Sequence, residues 1–185
     1  MNVSGAGHEI DGRVAKEASE PIKKTILTKV KIMVFKPVGL IHSPYVGKEE
    51  APIQGAFRPH ARGWVEVFPQ YGQGLKDIET FSHIFLIYSF DRSGELQLVR
   101  PTFLDDKPHG IFASRHPSRP NSIGLTVVRL LERKGDRLDV AGIDVLDGTP
   151  LLDIKPYIPR FDCYPDASEG WTAGKKERPK PKGRE

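Results

Sequence analysis

Residues 123–146 read IGLTVVRLLERKGDRLDVAGIDVL. The stretch 123–132 is rich in β-branched and long apolar side chains, which suit a pleated, half-buried surface. Gly135-Asp136 then turns the chain back into 138–146, a hairpin. Asp147-Gly148 begins a second turn, which leads into LLDIKPY at 151–157. Upstream, 84–90 (IFLIYSF) is apolar throughout and reads as a central strand covered on both faces. GWVEVF at 63–68 alternates, 38–42 is a short apolar run closed by Ser43-Pro44, and 96–99 is a further alternating piece. No segment carries a long 3.6-residue period. The fold class is therefore mainly β, and short strands joined by turns point to a sandwich or barrel.

Composition agrees. The 185 residues suit one domain with tails, and Gly 18 with Pro 16 favours a turn-rich β protein over a helical bundle. A net charge of +4 permits a polyanionic partner without demanding one. The single cysteine, Cys163, forms no internal disulfide and reads as an ordinary thiol near the core, consistent with a reducing compartment. No apolar run is long enough to span a bilayer and no signal-peptide core is present, so a soluble cytoplasmic protein is expected.

Three regions fall outside this strand pattern. Residues 1–34 form an N-terminal extension whose first part is polar, glycine-containing and expected to be disordered. Within it, 22–34 fits either an added strand or a short helix. Residues 47–62 lack periodicity and read as a long loop, of the kind that is usually functional or mobile. After the domain at 35–166, residues 167–185 read as a basic disordered tail, with six basic and two acidic side chains in its last eleven positions. That tail is either a solvated terminus or a contact for RNA.

The stretch 110–125 reads GIFASRHPSRPNSIGL. Pro117, Pro120 and Asn121 block regular structure, and Arg115, His116 and Arg119 place fixed positive charge on an irregular loop, which suggests a small-molecule site. The downstream stretch 141–150 adds two carboxylates, Asp144 and Asp147, and a tight turn. Several classes are disfavoured. There is no G-x-G-x-x-G after a strand, no P-loop spacing and no G-x-S-x-G elbow. The six histidines show no ligand spacing, and no metal site is indicated.

Five pieces in order carry a resemblance: G-x-IHSPY at 39–45, FSH at 81–83, GIFASR at 110–115, RPN-x-IGL at 119–125 and DGTP-x-x-DIKPY at 147–157. They resemble the TsaA-like (TrmO) family of β-barrel S-adenosylmethionine-dependent tRNA methyltransferases over about residues 38–164. The resemblance implies a closed β-barrel working as a homodimer, with S-adenosylmethionine near the dimer interface. It places cofactor contacts at Gly55, Ala56 and Phe57, at Asp91 and Arg92, at Arg115, at Leu125, and at Ala141, Gly142, Ile143 and Asp144. The activity it implies is methylation of the exocyclic amine of N(6)-threonylcarbamoyladenosine beside the anticodon of tRNA.

The chemistry is compatible with that assignment. Arg115 offers a planar fork to the cofactor carboxylate, Asp144 an acceptor for ribose hydroxyls or the amino group, and Phe57 and Leu125 apolar cover for adenine. Taken alone, Arg115 could equally be an arginine that organises its own loop through backbone carbonyls, and Phe57 a packing residue. Asp153, Lys155 and Tyr157, spaced i, i+2, i+4, share one face of an extended strand, with Leu152 and Ile154 on the other. They are the candidate catalytic row, positioning a modified base and accepting its N–H; a solvated sheet face is the alternative. Sulfonium methyl transfer depends mainly on in-line positioning, so no triad is expected. Ser122 departs from the family, where proline is common, and longer members carry a second, C-terminal domain. Competing readings are the same cofactor with another acceptor, a small molecule or a different RNA, and a non-catalytic sensor.

Overall fold

The computed structural model describes residues 33–179. The chain divides into two units, Met1–Phe35 and Lys36–Glu185. Only 33–35 of the first are described, without regular structure. The alternative of strand or helix at 22–34 therefore lies, but for its last two residues, outside the described part.

Among the described residues there are eight strands: β1 (Gly39–His42), β2 (Arg62–Val67), β3 (His83–Ser89), β4 (Val99–Pro101), β5 (Pro108–Gly110), β6 (Ile123–Lys134), β7 (Arg137–Ala141) and β8 (Thr149–Pro156). Six of them close a barrel in the order β1-β2-β7-β6-β3-β8, and β4-β5 form a separate two-stranded ribbon. Every neighbouring pair in the barrel is antiparallel. Closure removes the sheet edges that an open arrangement would leave bare. The expectation of a mainly β, closed-barrel fold is met.

Strand alternation fills the barrel. Ile84, Leu86 and Tyr88 of β3, Val128 of β6, Leu138 and Val140 of β7, and Ile41, Val65 and Leu151 are all buried together. Gly124 is needed where β6 passes β3, because a Cβ there would stand 2.1 Å from the Tyr88 ring. The outward positions differ from the sequence reading of 84–90 as covered on both faces. Phe85 and Ile87 are only half-buried. Beside them, Ile123, Leu125 and Val127 of β6 are exposed at 40%, 56% and 40%. Across the sheet Leu125 pairs with Ile87 and Ile87 with Asp153, while Val127 pairs with Phe85 and Phe85 with Lys155.

Several local expectations are corrected. The pairing at 96–99 begins only at Val99, in the ribbon with β5. The strand expected across 138–146 stops at Ala141, and 142–148 crosses the barrel end, held by Ser43 Oγ donating to the Val145 carbonyl at 2.6 Å. In β8 a register shift opposite Ile87 and Tyr88 breaks strict alternation, so Leu151 and Ile154 both pack toward the core. Cys163 is exposed rather than near the core. Residues 167–179, expected to be part of a disordered tail, lie against the β4–β5 ribbon. Trp171 stacks on His109 at 3.7 Å and its Nε1 donates to the Ala113 carbonyl at 2.7 Å, while Lys175 pairs with Asp105 and Arg178 with Asp106. Residues 180–185 are outside the described part.

Candidate functional site

Successive strands of this barrel run in opposite directions, which sends alternate connections to opposite ends. Here the connections 43–61, 90–122 and 142–148 all emerge at one end, while the other carries the short turn after β6 and the 68–82 connection. The cofactor candidates Gly55, Ala56, Phe57, Asp91, Arg92, Arg115, Gly142, Ile143 and Asp144 therefore gather at one end, although they are far apart in sequence. Ala141 and Leu125 lie on the strand segments that lead into it.

The centre of the gathering is Asp144. Its Oδ2 accepts the Gly55 backbone N–H at 2.7 Å, and its Oδ1 is buried with no hydrogen-bond partner among the described residues. Gly55 forms a tight 3-10 turn with Ala56 and Phe57, and only glycine fits there, since a Cβ would meet the Gly142 carbonyl oxygen at 2.1 Å. Burial pushes the Asp144 carboxyl up to about 6, against the opposing pull of Gly55 N–H, the Thr126 side chain and the Arg115 charge. Burial first, then the Asp144 charge, also pushes the Tyr88 phenol up, with Arg115 opposing. Thus Tyr88, Thr126, Arg115 and Asp144 share one electrostatic neighbourhood at the barrel mouth.

The two arginines of the 110–125 loop have different tasks. Arg119 Nη1 donates to the Ile111 and Ser114 carbonyls at 3.1 and 2.7 Å, so it is the arginine that organises the loop. Among the described residues Arg115 has a single side-chain hydrogen bond, to Gln54 Oε1 at 2.6 Å, in the residue before Gly55. Its guanidinium is otherwise available, as binding a ligand carboxylate requires. Arg92 does not face this neighbourhood directly. It donates to the Asp147 carbonyl and Thr149 Oγ1 at 2.9 and 2.8 Å and pairs with Asp91, fixing the start of β8. Phe57 is partly exposed at 36% and Leu125 lies on the outer wall. Trp64 is held between His42 at 4.7 Å and Arg137 at 4.6 Å.

The structure does not bring Asp153, Lys155 and Tyr157 to this end of the same chain. They run down the outer wall toward the opposite end: Asp153 beside Ile87, Lys155 beside Phe85, and the Tyr157 N–H donating to the His83 carbonyl at 3.1 Å. Lys155 Nζ pairs with Asp153 at 3.0 Å and Tyr157 packs on Phe85. Sequence reasoning missed Tyr88, Thr126 and Gln54. Tyr88 and Thr126 are polar side chains at inward positions of otherwise apolar strands, and that misfit is the signal that could have found them. Gln54 carries no such signal. Among the described residues no group of His, Cys, Asp or Glu is placed to hold a metal ion, and no helix is long and apolar enough to cross a membrane.

Comparison with known proteins gives this geometry a family. The tRNA-methyltransferase O N-terminal domain matches residues 40–163. A protein of Pyrococcus abyssi named a probable S-adenosyl-L-methionine-binding protein is 49% identical over 140 residues, 76% of either chain. A Homo sapiens protein named tRNA (adenine(37)-N6)-methyltransferase is 34% identical over 144 residues, 74% of this chain and 33% of its own. The crystal structure of TrmO superposes with a TM-score of 0.67 at 40% identity, and the match covers 76% of this chain and 64% of that one. The matched region includes all six barrel strands but for the first residue of β1, and the three connections that carry Gly55, Arg115 and Asp144. The chain belongs to the tRNA-methyltransferase O N-terminal domain family.

Proposed function

We propose that this chain is an S-adenosylmethionine-dependent methyltransferase acting on the exocyclic amine of N(6)-threonylcarbamoyladenosine beside the anticodon of tRNA. The observation that carries the reading is the buried Asp144 oxygen without a partner, in the same neighbourhood as the largely uncommitted Arg115 guanidinium. A buried acceptor left unpaired is costly unless a ligand supplies the donor. An α-amino acid group presents an ammonium donor and a carboxylate, the complement of this pair. The residues present therefore fit S-adenosylmethionine. Arg115 and Asp144 would hold it, the Gly55–Phe57 turn, Leu125 and 141–143 would line it, and Asp91 with Arg92 would brace the wall. When bound, the cofactor supplies an activated methyl group. The chain's own part is to fix position and exclude water.

The reading includes a homodimer. Its support is the exposed band Ile123, Leu125 and Val127, continuous with half-buried Ile87 and Phe85, and bordered by Asp153 and Lys155. Contiguous exposed apolar surface rimmed by polar residues marks an association face. A second copy on this wall would allow Asp153, Lys155 and Tyr157 to serve as the catalytic row, with Asp153 or Tyr157 accepting the substrate N–H. In a single copy that row stands away from the Asp144 neighbourhood, which favours the non-catalytic binder. The tail contributes less to RNA than its composition suggests, since Lys175 and Arg178 are already paired. A cytoplasmic location follows from a tRNA substrate.

The test is incubation with labelled cofactor and tRNA purified with or without the threonylcarbamoyl group, followed by nucleoside mass spectrometry. Methylation of the modified tRNA alone is expected. Methylation of neither moves the assignment to the binder or to a small-molecule acceptor.

A further inference from the structure

The arginine loop has a second face. There the Ser118 N–H donates to His116 Nδ1 at 3.0 Å, so the ring proton of the neutral imidazole sits on Nε2. That Nε2 is buried and has no hydrogen-bond partner among the described residues. Arg100, on β4, is half-buried; its Nε is likewise buried without a partner, and its guanidinium makes no ion pair or hydrogen bond among the described residues. The segment carrying Arg100 runs alongside the loop. The Ile111 N–H donates to the Leu98 carbonyl at 2.9 Å, and a Cβ on Gly94 would lie 3.7 Å from Ser118 Oγ. Burial, then the charges of Arg100, Arg119 and Lys48, hold His116 down to about 4, and no carboxylate offsets them. Two buried donors without acceptors, in a field of three cations, lack an anion.

The modified base of the proposed substrate carries a carboxylate, and three nearby cations have other tasks. Lys155 pairs with Asp153 on the outer wall, Arg119 holds backbone carbonyls, and Arg115 is assigned above to the cofactor. We propose that Arg100 and His116 form the receptor for the carboxylate of the threonylcarbamoyl group, with Arg100 the residue that sets specificity for it. This rests on the reaction proposed above. A guanidinium edge and a ring N–H are both donors suited to a carboxylate. His116 is adjacent in sequence to Arg115, so a group bound here is close to the cofactor residues.

The experiment compares anticodon stem-loops bearing the threonylcarbamoyl group as its free acid and as its methyl ester. Wild-type protein is expected to prefer the acid by at least about tenfold in kcat/KM, since a buried cation left unpaired penalises the ester. Arg100→Gln should collapse that ratio toward one, without changing S-adenosylmethionine affinity measured by calorimetry. If Arg100→Gln fails to fold, Arg100→Lys, which keeps the charge but not the planar fork, carries the same comparison. An unchanged acid-to-ester ratio in the folded variant overturns the assignment, as does a loss of cofactor affinity, which would give the site to the cofactor's own carboxylate. Wild-type protein that methylates acid and ester equally also overturns it while leaving the methyl transfer standing. Wild-type protein that methylates neither refutes the reaction itself.

Discussion

Asp144→Asn is expected to stabilise the unliganded protein while weakening cofactor binding. The Asp144 carboxyl sits near 6 rather than 3.8 because burial opposes its charge. That displacement corresponds to about 3 kcal/mol of folding free energy forfeited when the group is ionised. Asparagine removes the charge and can still accept the Gly55 N–H. Its amide nitrogen, however, would occupy the place of Oδ1, which has no partner, at a cost of about 1–3 kcal/mol. The net gain at pH 8 is therefore between zero and about 2 kcal/mol, or up to a few degrees in Tm for a chain of this size. Because the folded state holds the proton more tightly, this contribution is present below about pH 4 and lost as pH rises through 6. His116, held down to about 4, acts in the opposite sense: its stabilisation is present above 6.5 and lost as pH falls through 4. The two slopes oppose each other in the wild-type profile. The assay is accordingly the difference in denaturant stability between wild type and variant from pH 4 to 8, which should shift toward the variant by up to about 3 kcal/mol as pH rises. Calorimetry should show S-adenosylmethionine affinity falling by roughly ten- to a hundredfold, the effect of losing one charge-assisted hydrogen bond. A pH-independent difference, or unchanged affinity, would refute the role assigned to this carboxylate.

Other substitutions probe neighbouring parts. Gly55→Ala forces a methyl against the Gly142 carbonyl, 2.1 Å away, so both Tm and cofactor affinity should fall, by thermal melt and calorimetry; a neutral result would mean the turn is not tightly held. Trp171→Ala removes the bond to the Ala113 carbonyl and the stack on His109; a stability loss of about 1 kcal/mol is expected, together with weaker cofactor binding through the loosened loop that carries Arg115. Cofactor affinity equal to wild type would show that the 170–179 segment does not brace that loop. Val127→Asp, on a position already 40% exposed, should change monomer stability little, by about 0.5 kcal/mol or less, but abolish self-association in light scattering if the outer wall is the dimer face.

Much of the barrel was legible because strands carry their own signal. Alternation and turn residues located β1, β2, β3, β6, β7 and β8 to within a few residues. The exceptions have physical causes. The crossing segment 142–148 has a strand-like composition, but its backbone bonds go to residues from 41 to 61 rather than to a neighbouring ladder. The bulge in β8 depends on what β3 presents opposite, which local pattern does not encode. In the site, Arg115 and Asp144 were reachable through motif position, whereas the division of labour between Arg115 and Arg119 was not. Both are loop arginines, and only the carbonyls that surround Arg119 distinguish them. Arg100 carries no sequence signal at all, since an uncommitted arginine differs from a paired one only by its surroundings. The row at Asp153, Lys155 and Tyr157 shows the opposite failure: its shared face was foreseen, but periodicity cannot say which end of a barrel that face serves.

β1 pairs with both β2 and β8, the first strand of the barrel with its last. A nascent chain can form the β6–β7 hairpin as soon as both strands emerge, yet β1 and β3 keep one open flank each until β8 arrives, because β8 is the stave that bonds to both. Closure is thus a late, long-range event, of the kind that folds slowly and leaves unpaired backbone accessible to other chains in the meantime. A truncation that ends before Thr149 would remove the piece that seals the ring, and not merely shorten its tail. Until β8 arrives, the flanks of β1 and β3 that it will cover stay open to misassembly.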